Sequence, residues 1–208
     1  MIFIKILCAC EESQAVTIQL RKLNHEAYSC DIQNCSGGHP EWHICDDVLK
    51  YLNLSWDIII AFPPCTFLSF AGNKYLNDPV RLESRLAARD FFMKFVNAPC
   101  EHIAIENPLG WMSVYYRSPD QIVHPYYFGD PFLKRTCLWL KNLPCLYSTN
   151  LLPKPEPTYV QKNGKKRYWV DTVSSLDRQN NRQKIRSKTF PGLAAAMAFQ
   201  FTNNFFVL

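Results

Sequence analysis

Two short apolar runs in this chain end in residues able to do covalent chemistry. Trp56-Asp57-Ile58-Ile59-Ile60-Ala61-Phe62 stops at Pro63-Pro64-Cys65, and Ile103-Ala104-Ile105 delivers Glu106-Asn107-Pro108. A run of about four to eight apolar residues closed by a breaker reads as a buried strand, and two prolines end its ladder because neither donates a backbone hydrogen bond. Cys65 therefore stands just beyond a strand's carboxyl end, where open α/β sheets bind ligands. A thiolate is a strong nucleophile. A carboxyl carried to the same edge by a second strand gives it an acid partner. A cysteine taken alone is more often a small buried hydrophobe; the Glu106 segment argues against that here.

The elements that must position these groups alternate in type. Phe3 to Cys8 reads as a strand, and Glu12-Ser13 opens a helix through Leu23, with Ser13 as its cap and Val16, Leu20 and Leu23 as its apolar stripe. Ala27 to Cys30 is a second strand ending in Asp31; a Gly-rich loop, Asp46-Asp47-Val48 and a short helix to Leu52 lead to the strand Ile58 to Phe62. Arg81 to Val96 is a helix with Leu82, Leu86, Ala88, Phe92 and Phe95 turned inward, followed by the strand Ile103 to Ile105. Strands alternating with helices imply a parallel sheet with right-handed crossovers. Leu138 to Leu140 adds one more strand, Leu143 to Pro157 reads as irregular chain, and Pro191-Gly192 opens a last helix from Leu193 to Phe201. The expected form is one α/β domain over 1–208, a Rossmann-like sheet with helices on both faces and a small basic insertion, 141–188, before the last helix.

Asp57 to Gly72 resembles the catalytic-loop motif of the cytosine carbon-5 DNA methyltransferases, in which a Pro-Cys pair is followed by Phe-Ser and a Gly. Glu106-Asn107 resembles their Glu-Asn-Val motif, with Pro108 in place of Val and a suitable interval of about forty residues. The resemblance implies a class I methyltransferase sheet, S-adenosylmethionine as cofactor and DNA as partner. It also implies that the Cys65 thiolate adds to carbon 6 of cytosine while Glu106 hydrogen-bonds ring nitrogen 3, and that Thr66 to Gly72 closes over a flipped nucleotide. Phe128 to Arg135 resembles the stretch that holds a Gln-x-Arg pair in that family. Phe132 and Lys134 occupy those two places here, so Lys134 or Arg135 is the candidate cation. Thr189-Phe190-Pro191-Gly192 is loosely similar to the closing cofactor motif.

A nucleoside cofactor in such a sheet sits over the end of the first strand, with an acid at the end of the second gripping the ribose. Asp31 holds that position, with Ile32 beside it; the resemblance further implies an acid at the adenine, for which Asp47, with Asp46 close behind, is the matching candidate. Ala9, Cys10, Glu11, Ser13 and Pro63 complete the expected lining. The family's first loop is Phe-x-Gly-x-Gly-Gly, whereas Cys8-Ala9-Cys10-Glu11-Glu12-Ser13-Gln14 contains no glycine. Its acids suit a sulfonium or an amino group better than a phosphate, which disfavours NAD. This loop is similar to that of the short methyltransferase-like proteins of bacteriophages and prophages, which also share the later Ser-Cys-Asp, Pro-Pro-Cys-Thr and Glu-Asn-Pro segments.

Composition sets the surroundings. The chain has 208 residues, 48% hydrophobic and 20% charged, as in ordinary soluble globular domains. With no long uncharged apolar stretch and no signal-peptide pattern, a cytoplasmic protein with no membrane partner is expected. Nine cysteines at irregular spacing argue for reduced thiols rather than a disulfide framework. Cys35, His39, His43 and Cys45 fall close together, but their spacing is no common zinc pattern and Gly37-Gly38 and Pro40 mark a loop, so no metal is expected. Residues 154–188 hold ten Lys or Arg against three acids, interleaved with Tyr159, Tyr168 and Trp169. Such a segment suits a polyanion, since cations neutralise phosphates and aromatic rings stack on bases; a solvated loop is the plain alternative. Two other readings stay open: the same chemistry on RNA or a free pyrimidine nucleotide, and a non-catalytic cofactor- or nucleic-acid-binding protein of this fold.

Overall fold

In the computed structural model, residues 3–70, 78–168 and 189–203 are described. Gly72, Trp169 and the basic residues from Arg178 to Lys188 lie outside them. Seven strands form the main sheet: β1 (Lys5–Ala9), β2 (Glu26–Asp31), β3 (His43–Cys45), β4 (Ile58–Ala61), β5 (His102–Pro108), β6 (Gln121–Val123) and β7 (Thr136–Lys141). Their spatial order is β3-β2-β1-β4-β5-β7-β6. The first five run parallel, and β7 runs antiparallel to both β5 and β6. Strand order reverses between β1 and β4, which opens a crevice at their carboxyl ends. This is a Rossmann-like sheet with helices on both faces.

Alternating side chains of each strand feed two cores. On one face, Ile6, Ile58 and Ile60 pack against Val16 and Leu20 of α1 (Ala15–Lys22) and Met197 and Phe201 of α4 (Pro191–Asn203). On the other, Ile59, Ile103 and Ile105 pack against Phe92 and Phe95 of α2 (Pro79–Val96), with Trp139 edge-on to Phe92. Both faces are covered, which is why these strands read as continuous apolar runs rather than alternating ones. A short helical turn, α3 (Met112–Tyr115), follows β5.

Several expectations are corrected. The sheet is mixed rather than wholly parallel, because Pro108 at the end of β5 pairs with Thr136 at the start of β7. Strands β3 and β6 add to those expected; each has three residues, too few to set up a period. The basic insertion carries a hairpin of β8 (Tyr159–Val160) and β9 (Lys166–Arg167), turned through Asn163-Gly164 with Gly164 at φ 79°. Helix α2 begins at Pro79, with the Asp78 side chain accepting from the Val80 amide. Its first half is also rotated from the expected face: Leu82 is 43% exposed and Arg85 is 3% exposed.

Ser13 is not the cap of α1. Gln14 at the cap position takes a left-handed φ of 57° and makes no side-chain cap bond. The buried Glu11 carboxylate does the capping, accepting from the Val16 amide at 2.6 Å, the Thr17 amide at 3.2 Å and the Thr17 hydroxyl at 2.7 Å. Both its oxygens are thus engaged by the helix. Burial outweighs these bonds and pushes the carboxyl up to about 7 from its ordinary 4.5. The folded state therefore holds this proton more tightly than the unfolded chain, and the stability it contributes is complete below pH 4.5 and lost as pH rises through about 7. A displacement of this size corresponds to about 3 kcal/mol at most. Urea unfolding between pH 4.5 and 7.5 is expected to show wild-type stability falling across this window and a flatter profile for Glu11→Gln.

Candidate active site

The parallel register of β4 with β5 aligns Ile60 with Ala104 and Ala61 with Ile105, so Phe62, the first residue beyond β4, stands beside Glu106, which continues in β5 paired with Leu138 of β7. Phe62 donates its amide back to Ala9, holding this exit against the end of β1. Beyond it Pro63 is buried, Pro64 and Thr66 are exposed and Cys65 is half-buried. The buried Asn107 side chain donates through Nδ2 to the Pro63 carbonyl at 2.8 Å, while its Oδ1 has no hydrogen-bond partner. Pro63 can thus be placed without an amide of its own.

The chain after each strand then closes on the other. Leu68 and Ser69 donate to the Cys65 carbonyl, winding Cys65 to Ser69 into a tight turn. Trp111 donates to the Leu68 carbonyl at 2.7 Å, and Ser69 bridges Gly110. A Cβ on Gly110 would collide with that same carbonyl, so only glycine permits this approach.

Half-buried Glu106 titrates above its ordinary range, because desolvation raises it and the nearby Lys134 ammonium only partly offsets this. A carboxyl so placed retains its proton to higher pH and can donate it. Lys134 and Arg135 directly precede Thr136, which pairs with Pro108, so both reach the edge that carries Glu106. Lys134 also lies 5.9 Å from the centre of the Phe190 ring, which packs 5.0 Å from Phe132. The Asp130 carboxylate accepts from the Gly192 amide at the start of α4, docking 189–192 on the loop that carries Lys134.

At the ends of β1, β2 and β3 lies the second half of the crevice. Ala9 is buried at the end of β1, and Cys10 follows with φ 60° and its amide on the Cys30 carbonyl at 2.7 Å. Asp31 accepts from the Gln33 amide, and Asp47 from the Leu49 amide. Both carboxylates act on Cys10: burial first, then Asp31, then Cys30 and Asp47 push its thiol well up. Burial, Asp31, Asp46 and Asp47 likewise push the Cys30 thiol up to about 12. Asp31 and Asp47 thus form one acidic cluster at the mouth of β1. Asp46, half-buried, is held by Lys50 at 2.7 Å and by the Tyr51 hydroxyl. Ile32 beside Asp31 is 78% exposed, an apolar face against which a flat ring can rest.

The glycine-free first loop is built by other means. Cys10 and Gln14 adopt the left-handed φ that glycines usually supply. Fully buried Gln14 bonds Ser29 and the His39 backbone, tying α1 to the 37–39 segment, and Gly37 presses on Gln14 and the Ser13 carbonyl. The motifs give no role to Gln14, the last residue of the first loop, and do not include Gly110, Trp111 or Arg85.

Cys35, His39, His43 and Cys45 do not assemble. Both His43 ring nitrogens are taken, by the Ser29 hydroxyl and the Gln33 carbonyl, each at 2.8 Å. Among the described residues no three His, Cys, Asp or Glu side chains gather as a metal site would need. None of the described helices is long and apolar enough to cross a membrane.

No family profile matches the chain, and no curated protein does. Among solved structures it is similar to the S. pombe Dnmt2 methyltransferase at 14% identity, with a TM-score of 0.46, over 85% of this chain and 56% of that one. It is also similar to the Entamoeba histolytica methyltransferase EhMeth at 18% identity, with a TM-score of 0.43, over 87% of this chain and 62% of that one. The chain spans less than two thirds of either protein.

The strained first loop has a measurable consequence. A side chain in the left-handed region costs about 1 to 2 kcal/mol. Cys10→Gly is therefore expected to leave stability unchanged or raise it by up to about 1 kcal/mol in urea unfolding, whereas Cys8→Gly, in the buried core of β1, destabilises.

Proposed function

We propose that this chain is an S-adenosylmethionine-dependent methyltransferase acting on carbon 5 of cytosine in nucleic acid, DNA foremost, with Cys65 as nucleophile. The observation that carries the reading is the Asn107 to Pro63 bond at 2.8 Å, which ties the exit of β4 to the end of β5 beside a carboxyl that burial makes harder to ionise. Carbon 5 of cytosine is a weak nucleophile until something adds to carbon 6. The Cys65 thiolate forms that bond, and Glu106 donates to ring nitrogen 3 as charge develops there. Lys134 sets how readily Glu106 parts with its proton. The cofactor supplies the methyl group as an electrophilic sulfonium carbon; loss of the carbon 5 proton to water and expulsion of the thiolate then restore the ring.

For the cofactor, Asp31 suits the ribose hydroxyls, Asp47 the adenine edge, and Ile32 the adenine face. Ala9, Cys10, Ser13 and Pro63 are the further residues assigned to the cofactor in this reading. The reaction needs the base outside the duplex, and Thr66 to Phe70 is the described part of the loop that would cover it. For the nucleic acid, the β8 to β9 hairpin presents Lys162, Lys165, Lys166 and Arg167 beside exposed Tyr159.

Cys65→Ser is expected to abolish methyl transfer to DNA while cofactor affinity, read by calorimetry, stays near wild type, because a hydroxyl of similar size is far less nucleophilic at neutral pH. Full activity in this variant removes Cys65 from the chemistry. Neutralising Lys165, Lys166 and Arg167 together is expected to weaken DNA binding and flatten the logarithmic salt dependence by about three units. An unchanged slope in a salt titration makes the hairpin a solvated loop with no part in binding.

A further inference from the structure

Arg85 is 3% exposed in a helix whose sequence calls for leucines on the inner face. Its Nε donates to the Phe67 carbonyl at 3.0 Å, two residues beyond Cys65. Its guanidinium lies 5.3 Å from the centre of the Trp111 ring, in the segment that follows Glu106-Asn107. One side chain on α2 therefore touches the loops that leave both β4 and β5. One turn before it Arg81 lies 5.4 Å from the Phe67 ring, and one turn after it Arg89 lies 5.0 Å from the Tyr115 ring. Arginine stacks well on aromatic faces, so the first half of α2 grips the Cys65 loop and α3 along one row of its surface.

Desolvation and the charge of Arg81 both work against the Arg85 cation. A leucine here would avoid that cost, but it could hold no carbonyl. The Phe67 carbonyl belongs to the turn in which Leu68 and Ser69 bond to the Cys65 carbonyl, and the Leu68 carbonyl in turn receives the Trp111 amide. Fixing Phe67 therefore fixes the backbone that aims Cys65.

We propose that Arg85 is a positioning residue: it clamps the Cys65 loop to the Glu106 segment and so sets the thiol's place relative to the carboxyl. Its role in the reaction rests on the methyltransferase reading, whereas the clamp itself is a property of the fold.

The clamp is read by hydrogen exchange of the peptide spanning 66–70 in wild type, Arg85→Lys, Arg85→Met and Trp111→Leu. Arg85→Met is expected to speed exchange of the Leu68 and Ser69 amides on the order of tenfold, with β1 and α4 exchanging as in wild type. Arg85→Lys restores part of the protection. Methyl transfer in Arg85→Met is expected to lose kcat on the order of 100-fold at unchanged cofactor affinity, the scale of misplacing a reacting group by about an ångström. Wild-type exchange in this peptide overturns the proposal, as does a loss of cofactor affinity equal to the loss of kcat. Should Arg85→Met fail to fold, Trp111→Leu decides by the same readout: faster loop exchange supports the clamp and an unchanged rate overturns it. Faster loop exchange in Arg85→Met combined with no methyl transfer by wild type keeps the clamp and discards the methyltransferase reading.

Discussion

The site depends on parallel pairing between β4 and β5. Four aligned residue pairs bring Phe62 and Glu106 side by side, and the Asn107 amide on the Pro63 carbonyl fixes the start of the Cys65 loop against the end of β5. Cys65 and Glu106 both lie within two residues of that bond. Prolines at 63 and 64 end the ladder, Gly110 lets the two loops touch, and Arg85 presses on them from outside. A parallel pair can do this because its carboxyl ends share one edge and its connection is carried away by a helix. The antiparallel β7 adds a third contribution to the same edge, since Lys134 and Arg135 directly precede Thr136, which pairs with Pro108.

The crevice between β1 and β4 divides the labour. Toward β5 lie a half-buried thiol, a carboxyl that burial makes harder to ionise and a lysine that partly offsets this. Toward β3 lie two carboxylates and an exposed isoleucine. The first loop joins the halves, and it does so under strain, with Cys10 and Gln14 in backbone conformations better suited to glycine. Glu11 offsets part of that strain by capping α1, and Gln14 does so by anchoring the 37–39 segment. An anion-binding glycine turn is thereby replaced by a rigid turn with an acidic mouth, which suits a cationic cofactor better than a phosphate.

Much of this architecture is legible in the residues. Ile58 to Ala61 and Ile103 to Ile105 read as buried strands because both faces of the sheet are covered, and the breakers around Cys65, Glu106 and Asp31 place all three at strand ends. The antiparallel direction of β7 is not legible, because direction leaves no trace in a run such as Leu138 to Leu140. The face of α2 misleads because hydrophobic periodicity counts leucines. Leu82 turns outward so that a buried arginine can reach a loop carbonyl, a preference that only the tertiary structure imposes. Ser13 has the residue type of a cap, yet a carboxylate two residues earlier reaches the helix amides through a turn whose positive φ values no propensity reveals.

The central claim is that Cys65 attacks a cytosine ring at carbon 6, and trapping tests it most directly. Fluorine at carbon 5 blocks the proton loss that would release the protein, so the adduct accumulates once the methyl group has been transferred. Wild-type protein incubated with S-adenosylmethionine and DNA containing 5-fluorocytosine is expected to form a covalent complex that survives denaturation, with mass spectrometry placing the modified base on the peptide that contains Cys65. Methyl transfer to unmodified cytosine without any such adduct, or an adduct mapped to another of the nine cysteines, contradicts the account.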